Sequence, residues 1–151
     1  MGLGFDVHPR DADRVLWLGG VRFDGVPGLA GHSDGDAVCH AVADALLGAA
    51  ALGDIGEHFP ETDPTIAGIA GVELLRRTVA ILAGADYAPV SCDLTVLCDV
   101  PAIAPHRDAM RQQLADALGV AVEHVSVKAT RPEGLGLSGD GVGCFAVATV
   151  R

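Results

Sequence analysis

At 151 residues, with a net charge of -10 and half of its residues hydrophobic, the chain is too apolar to be disordered and too acidic to offer nucleic acid a positive face. No apolar run approaches the roughly 20 residues that cross a bilayer, and the start, Met1-Gly2-Leu3-Gly4-Phe5, lacks the charged and apolar regions of a signal peptide. The expectation is one domain over residues 1–151, cytoplasmic, with no nucleic-acid or membrane partner.

In chain order, Leu3 to His8 reads as a strand, and Val15 to Phe23 as two short apolar runs broken by Gly19-Gly20, a hairpin signal. Asp24 to Gly28 reads as a loop. The Ala- and Leu-rich run from Asp36 to Leu52 reads as a helix, with Ser33 and Asp34 as possible N-caps. Gly53 to Asp63 has loop composition, and Val72 to Leu82 has helical periodicity. Val90 to Cys98 predicts a strand. His106 to Leu118 predicts a helix entered through Pro105 and ended by Gly119. Val125 to Ala129 and Cys144 to Val150 complete the strands.

The sum is an α+β domain: helices layered on one face of a mixed, mainly antiparallel sheet, a two-layer sandwich of ferredoxin-like type. Leu94 to Cys98 and Cys144 to Val150 are nearly continuous in apolar character, which calls for cover on both faces and predicts a homo-oligomer. The four cysteines, Cys39, Cys92, Cys98 and Cys144, form no C-x-x-C pair and read as reduced core thiols.

Asp6 and His8 stand two apart in a strand, so both project from one face. Asp36, His40 and Asp44 follow at i, i+4 and i+8, a polar stripe on an apolar helix. Asp6, His8 and His40 together offer one oxygen and two nitrogens, three protein ligands with a position left open, which is the catalytic zinc pattern. Mn, Co or Fe also suit the donor set. Asp36 or Asp44 can accept the second ring N–H of His40, and the spacing leaves the choice open. The open position is expected to take a phosphate oxygen.

Gly31-His32-Ser33-Asp34-Gly35 leads straight into that helix, so free N–H groups and the positive end of its dipole point toward the metal. His32 and the Ser33 hydroxyl can donate to phosphate oxygens. The plainer reading makes Ser33 and Asp34 caps and His32 a loop residue; nearness to a metal tips the balance. His58, His106, His124 and Trp17 receive no functional role.

Several long stretches taken in order carry a family likeness. They are Gly4-Phe5-Asp6-Val7-His8, the run Ala30 to Asp36, the run Asp44 to Gly56, Phe59-Pro60-Glu61-Thr62-Asp63, Pro101, and Val127-Lys128-Ala129-Thr130. Over essentially its whole length the chain resembles the 2-C-methyl-D-erythritol 2,4-cyclodiphosphate synthases of the non-mevalonate isoprenoid pathway. The resemblance implies a lyase acting on 4-diphosphocytidyl-2-C-methyl-D-erythritol 2-phosphate, whose own 2-phosphate attacks the β-phosphate and expels CMP. It implies a homotrimer with sheets facing the threefold axis and active sites between subunits. It also implies Zn2+ on Asp6, His8 and His40, with Mg2+ or Mn2+ near Glu133.

Carried over residue by residue, His32 and Ser33 touch the substrate phosphates. Asp54, Ile55, Gly56, Phe59, Pro60, Glu61, Thr62 and Asp63 line the methylerythritol pocket. Pro101, Ile103, Ala104, Ala129, Thr130, Arg131, Glu133 and Leu137 hold the nucleotide end. His32 and Arg131 are the residues expected to act on the reacting phosphates, and no general base is expected because a phosphate dianion is already a nucleophile.

Two departures stand out. Where the family usually has Thr-Thr-x-Glu this chain has Thr130-Arg131-Pro132-Glu133; Arg131 is expected to reach a phosphate as a charged donor, the alternative being that it points into solvent and leaves Thr130 and backbone N–H groups to serve. Where many members have Phe-Thr-Gly-Arg-Gly-Glu it has Leu137-Ser138-Gly139-Asp140-Gly141-Val142. Asp140 there is expected to repel an isoprenoid diphosphate at the trimer axis. Two alternatives use the same metal site: a zinc phosphohydrolase with water as nucleophile, and a metal-binding assembly without catalysis.

Overall fold

The structure, a computed structural model, describes residues 1–136 and 138–151. Four strands make the main sheet: β1 (Gly2–His8), β4 (Pro89–Leu97), β5 (Val125–Thr130) and β6 (Val142–Val150), in the order β1-β6-β4-β5. The β4–β5 pair is parallel, because the chain crosses between them through a helix, and the other pairs are antiparallel. A separate hairpin joins β2 (Arg10–Leu18) to β3 (Val21–Leu29).

The helices are α1 (Ala37–Ala49), the short α2 (Ile55–His58), α3 (Gly71–Gly84) and α4 (Arg107–Leu118). The two-layer α+β arrangement and mixed sheet match the expectation, but the ferredoxin-like connectivity does not. A ferredoxin-like chain runs β-α-β-β-α-β. Here the main sheet runs β-α-β-α-β-β, because α4 is the crossover of the parallel pair and β6 returns to lie between β1 and β4.

Two local expectations also change. Asp24 to Gly28 is part of β3 rather than a loop: Pro27 pairs with Val15 and Gly28 with Asp11, across register shifts that bend the hairpin. Gly28 must be small there, since a Cβ would fall 2.6 Å from the Arg14 backbone. The cap of α1 is Asp36, whose carboxylate accepts from the N–H groups of Val38 and Cys39, and not Ser33 or Asp34.

Strand alternation positions the site. In β1 the even residues Gly2, Gly4, Asp6 and His8 face α1, while Leu3, Phe5 and Val7 point away and are 67%, 43% and 42% exposed. A Cβ on Gly4 would sit 1.9 Å from the Ala41 carbonyl, so the missing side chain lets α1 lie directly on β1. That close approach puts His40 over Asp6 and His8. The face of α1 turned to the sheet is fully buried, and Cys39, Cys92, Cys98 and Cys144 are free thiols in the core. Burial pushes the Cys39 and Cys144 thiols well above their ordinary range and lifts that of Cys92 to about 12.

Candidate active site

β1 and α1 bring three donors to one point. His8 Nε2 lies 2.7 Å from Asp6 Oδ2, His40 Nδ1 lies 3.2 Å from the same oxygen, and the two ring nitrogens are 3.3 Å apart. Four tetrahedral ligands bound to zinc at 2.0–2.1 Å stand about 3.3 Å from one another, and two of the three separations here match that spacing.

The outer ring nitrogens agree with this. His8 Nδ1 donates to the Ala30 carbonyl at 2.7 Å, which leaves Nε2 to offer a lone pair when the ring is neutral. His40 Nε2 lies 3.0 Å from Ser33 Oγ. The acceptor expected from the spacing, Asp36 or Asp44, is neither. Asp36 is committed to the backbone N–H groups of Gly19, Gly20, Val38 and Cys39, and Asp44 to that of Ile55. Both carboxylates lie on the α1 register but turn to backbone donors.

Asp6 is held as an anion, the state in which a carboxylate can ligate a cation. Burial works against ionisation of Asp6, yet the hydrogen bonds from His40 and His8 outweigh it and hold the carboxyl well below the usual carboxylate range. The hydrogen bond to Asp6 raises the His8 pKa, against the opposing effect of burial. The three donor atoms lie within 4.8 Å of one another, and Asp6, His8 and His40 form a group able to hold a metal among the described residues.

A cavity of about 190 Å³ opens beside the triad. Asp6, His8, His32, Ser33, His40, Ile55, Gly56, Phe59 and Glu61 line it, with Ile66, Ile69 and Leu74, which sequence reasoning did not single out. His32 Nε2 is buried there without a hydrogen-bond partner among the described residues, a polar atom held ready for a ligand.

A second cavity of about 420 Å³ is lined by Pro101, Ile103, Ala104, Ala129, Thr130 and Arg131 together with Cys98 to Val100, Ala102 and Arg107. Arg107 was missed, since nothing in the sequence marks the first residue of a helix as lining a cleft. The residues expected at the metal end and those expected at the nucleotide end thus fall in two separate cavities of the single chain.

Asp54, Pro60, Thr62, Asp63 and Glu133 line neither cavity. Asp54 caps α2 by accepting from the Glu57 N–H at 2.9 Å, and Asp63 caps the following turn by accepting from Thr65. Glu133 sits at an exposed turn with φ 52°. Leu137 lies outside the described residues.

A family model described as the YgbB family matches residues 1–151. A 2-C-methyl-D-erythritol 2,4-cyclodiphosphate synthase from Symbiobacterium thermophilum is 49% identical over 152 residues, covering 99% of this chain and 97% of that protein. A bifunctional enzyme IspD/IspF from Erythrobacter litoralis is 47% identical over 99% of this chain, which spans 39% of that protein's length. A solved 2C-methyl-D-erythritol-2,4-cyclodiphosphate synthase in a CDP-bound form superposes with a TM-score of 0.91 at 33% identity, over 99% of both chains.

Proposed function

The chain belongs to the YgbB family of 2-C-methyl-D-erythritol 2,4-cyclodiphosphate synthases, enzymes of the non-mevalonate isoprenoid pathway, and from that premise we propose how its residues divide the reaction. The substrate is 4-diphosphocytidyl-2-C-methyl-D-erythritol 2-phosphate. An oxygen of its 2-phosphate forms a bond to the β-phosphorus, the bond from that phosphorus to the oxygen bridging the α-phosphate breaks, and CMP leaves with the electron pair. No proton has to be removed from the nucleophile.

The protein's part is geometric and electrostatic. Folding one flexible substrate into an in-line pose can contribute up to about 7–11 kcal/mol. The cavity beside α1 takes the methylerythritol and diphosphate end, with His32 and Ser33 donating to phosphate oxygens. The convergence of Asp6, His8 and His40 within 4.8 Å on its wall carries this reading. Zn2+ is the ion we assign to that triad, by donor type, and Mg2+ or Mn2+ to Glu133. Bound there, such ions neutralise the charge that phosphoryl transfer concentrates on oxygen. The cavity around Pro101 to Ala104 takes the cytidine, with Arg131 donating to a phosphate.

A homotrimer completes the site. Two observations support it: the two halves of the site lie in separate cavities of one chain, and Leu3, Phe5, Val7, Phe145 and Val147 leave an apolar strip exposed on the sheet face opposite α1. No helix among the described residues is long and apolar enough to cross a membrane, and we assign the enzyme to the cytoplasm.

The test is direct. Protein supplied with zinc and magnesium is incubated with the substrate and followed by phosphorus NMR. A cyclic diphosphate and CMP in equal amounts are expected, and His40→Ala should lose both stoichiometric zinc and turnover. A linear phosphate product would instead make the chain a hydrolase.

A further inference from the structure

Among the described residues, neither Arg10 nor Arg14 of β2 pairs with a carboxylate, although the chain has 20 acidic residues and only 10 basic ones. Both guanidinium groups go to backbone carbonyls instead. Arg10 donates to the Pro27 carbonyl at 2.9 Å and to that of Val100, on the nucleotide-side cavity. Arg14 donates to the Gly31 carbonyl at 2.6 Å and to that of Ser33, one residue on each side of His32.

The Arg14 grip has a consequence for the loop. A planar trans peptide points the carbonyl of one residue and the N–H of the next in opposite directions. With the Gly31 and Ser33 carbonyls drawn to Arg14 and the His32 carbonyl accepting from the Gly68 N–H at 2.8 Å, the N–H groups of His32, Ser33 and Asp34 are all turned away from those partners. The Asp34 N–H is satisfied by the Ile69 carbonyl at 3.0 Å. Those of His32 and Ser33 have no acceptor among the described residues, and both residues line the cavity beside the metal triad. Both N–H groups are thus left free to donate to a ligand at the cavity wall.

We infer that Arg14 is a positioning residue for the diphosphate: by gripping the Gly31 carbonyl, and with it the Gly31–His32 peptide, it presets the backbone N–H of His32 as a phosphate donor, beside a Ser33 N–H whose own peptide is held by Gly68. The inference rests on the reading of this cavity as the diphosphate site. The planar guanidinium presents N–H groups on two separate nitrogens in a fixed fork and so holds the two carbonyls at a set spacing, whereas the three donors of a lysine ammonium share one nitrogen on a flexible stem and hold that spacing less firmly.

The experiment uses full-length, zinc-loaded protein and two readouts. Inorganic pyrophosphate is titrated while the amide signals of His32 and Ser33 are followed by NMR, and kcat and KM are measured with the cyclisation substrate. Wild type should show large shifts of both amides. Arg14→Lys should lose most of the His32 shift and roughly 10- to 100-fold in kcat/KM, at unchanged zinc content. Arg10→Lys should keep the two amide responses.

Millimolar guanidinium should restore part of the turnover of Arg14→Ala, whereas an alkylammonium ion should not. If Arg14→Ala fails to fold, Arg14→Lys, which keeps the stem and charge, decides. Wild-type pyrophosphate affinity and amide shifts in Arg14→Lys would overturn the inference. Failure of wild type to cyclise would overturn the reaction assignment, and the pyrophosphate response would still report on Arg14.

Discussion

The Nε2 atom of His40 lies 3.0 Å from the hydroxyl oxygen of Ser33, and the same oxygen accepts from the Gly35 N–H at 3.1 Å. Ser33 is thus tied to a metal-ligand candidate and to the turn that feeds α1. With Nδ1 facing the triad, Nε2–H donates to Ser33 and fixes the tautomer and tilt of the ring. Ser33→Ala is expected to weaken zinc binding about 10- to 100-fold, the usual effect of removing such a partner. Competition with a chromophoric chelator measures it, and an unchanged zinc affinity would remove Ser33 from this role.

Asp36 is fully buried and accepts four backbone N–H groups, two at the start of α1 and two from the Gly19-Gly20 turn. It therefore fastens the hairpin to the helix that carries His40. Asp36→Ala should cost roughly 3–5 kcal/mol, the sum of a lost cap and several stranded donors. Urea denaturation should show Asp36→Asn falling between wild type and alanine, because the amide keeps one acceptor oxygen.

Asp44 stands one turn beyond His40 on α1 and accepts from the Ile55 N–H at 2.8 Å. That bond anchors α2, whose Ile55 and Gly56, followed by Phe59, form a wall of the cavity beside the triad. Asp44→Ala is expected to raise KM several-fold, the equivalent of about 1 kcal/mol, without changing zinc content. Asp44→Asn retains an acceptor oxygen and should recover most of the loss in steady-state assays.

Asp34 supplies a pH dependence. Burial first, then the charge of Asp36, raises its pKa above the ordinary carboxylate value, although it accepts from the N–H groups of Asp36 and Gly71. The folded protein therefore holds this proton to higher pH than the unfolded chain does. Its contribution to stability is greatest below the unfolded value of about 3.9 and falls as pH rises through the folded value. Asp34→Asn removes that slope, so its cost in urea midpoint should be largest near pH 4 and smaller at pH 7. A cost that grows with pH would show that the shift has the opposite sign.

The candidate metal triad was legible because each half rests on a short-range rule. Strand period two puts Asp6 and His8 on one face, and the apolar stripe of α1 marks His40 as an exception on a buried helix. Family motifs joined the two halves. The αL stop at Gly119 (φ 70°) and the free buried thiols follow from equally local chemistry.

What the chain alone did not reveal depends on contacts between distant segments. Spacing on a helix offers Asp36 and Asp44 equally to His40, and only the placement of Gly19-Gly20 and Ile55 decides that both are already engaged. The parallel β4–β5 pair, the register shift that makes Asp24 to Gly28 part of a strand, and the reach of Arg10 and Arg14 to carbonyls 17 to 90 residues away arise from packing. Residue type determines what a side chain can bind. Where the competing partners lie in space determines which one it does bind.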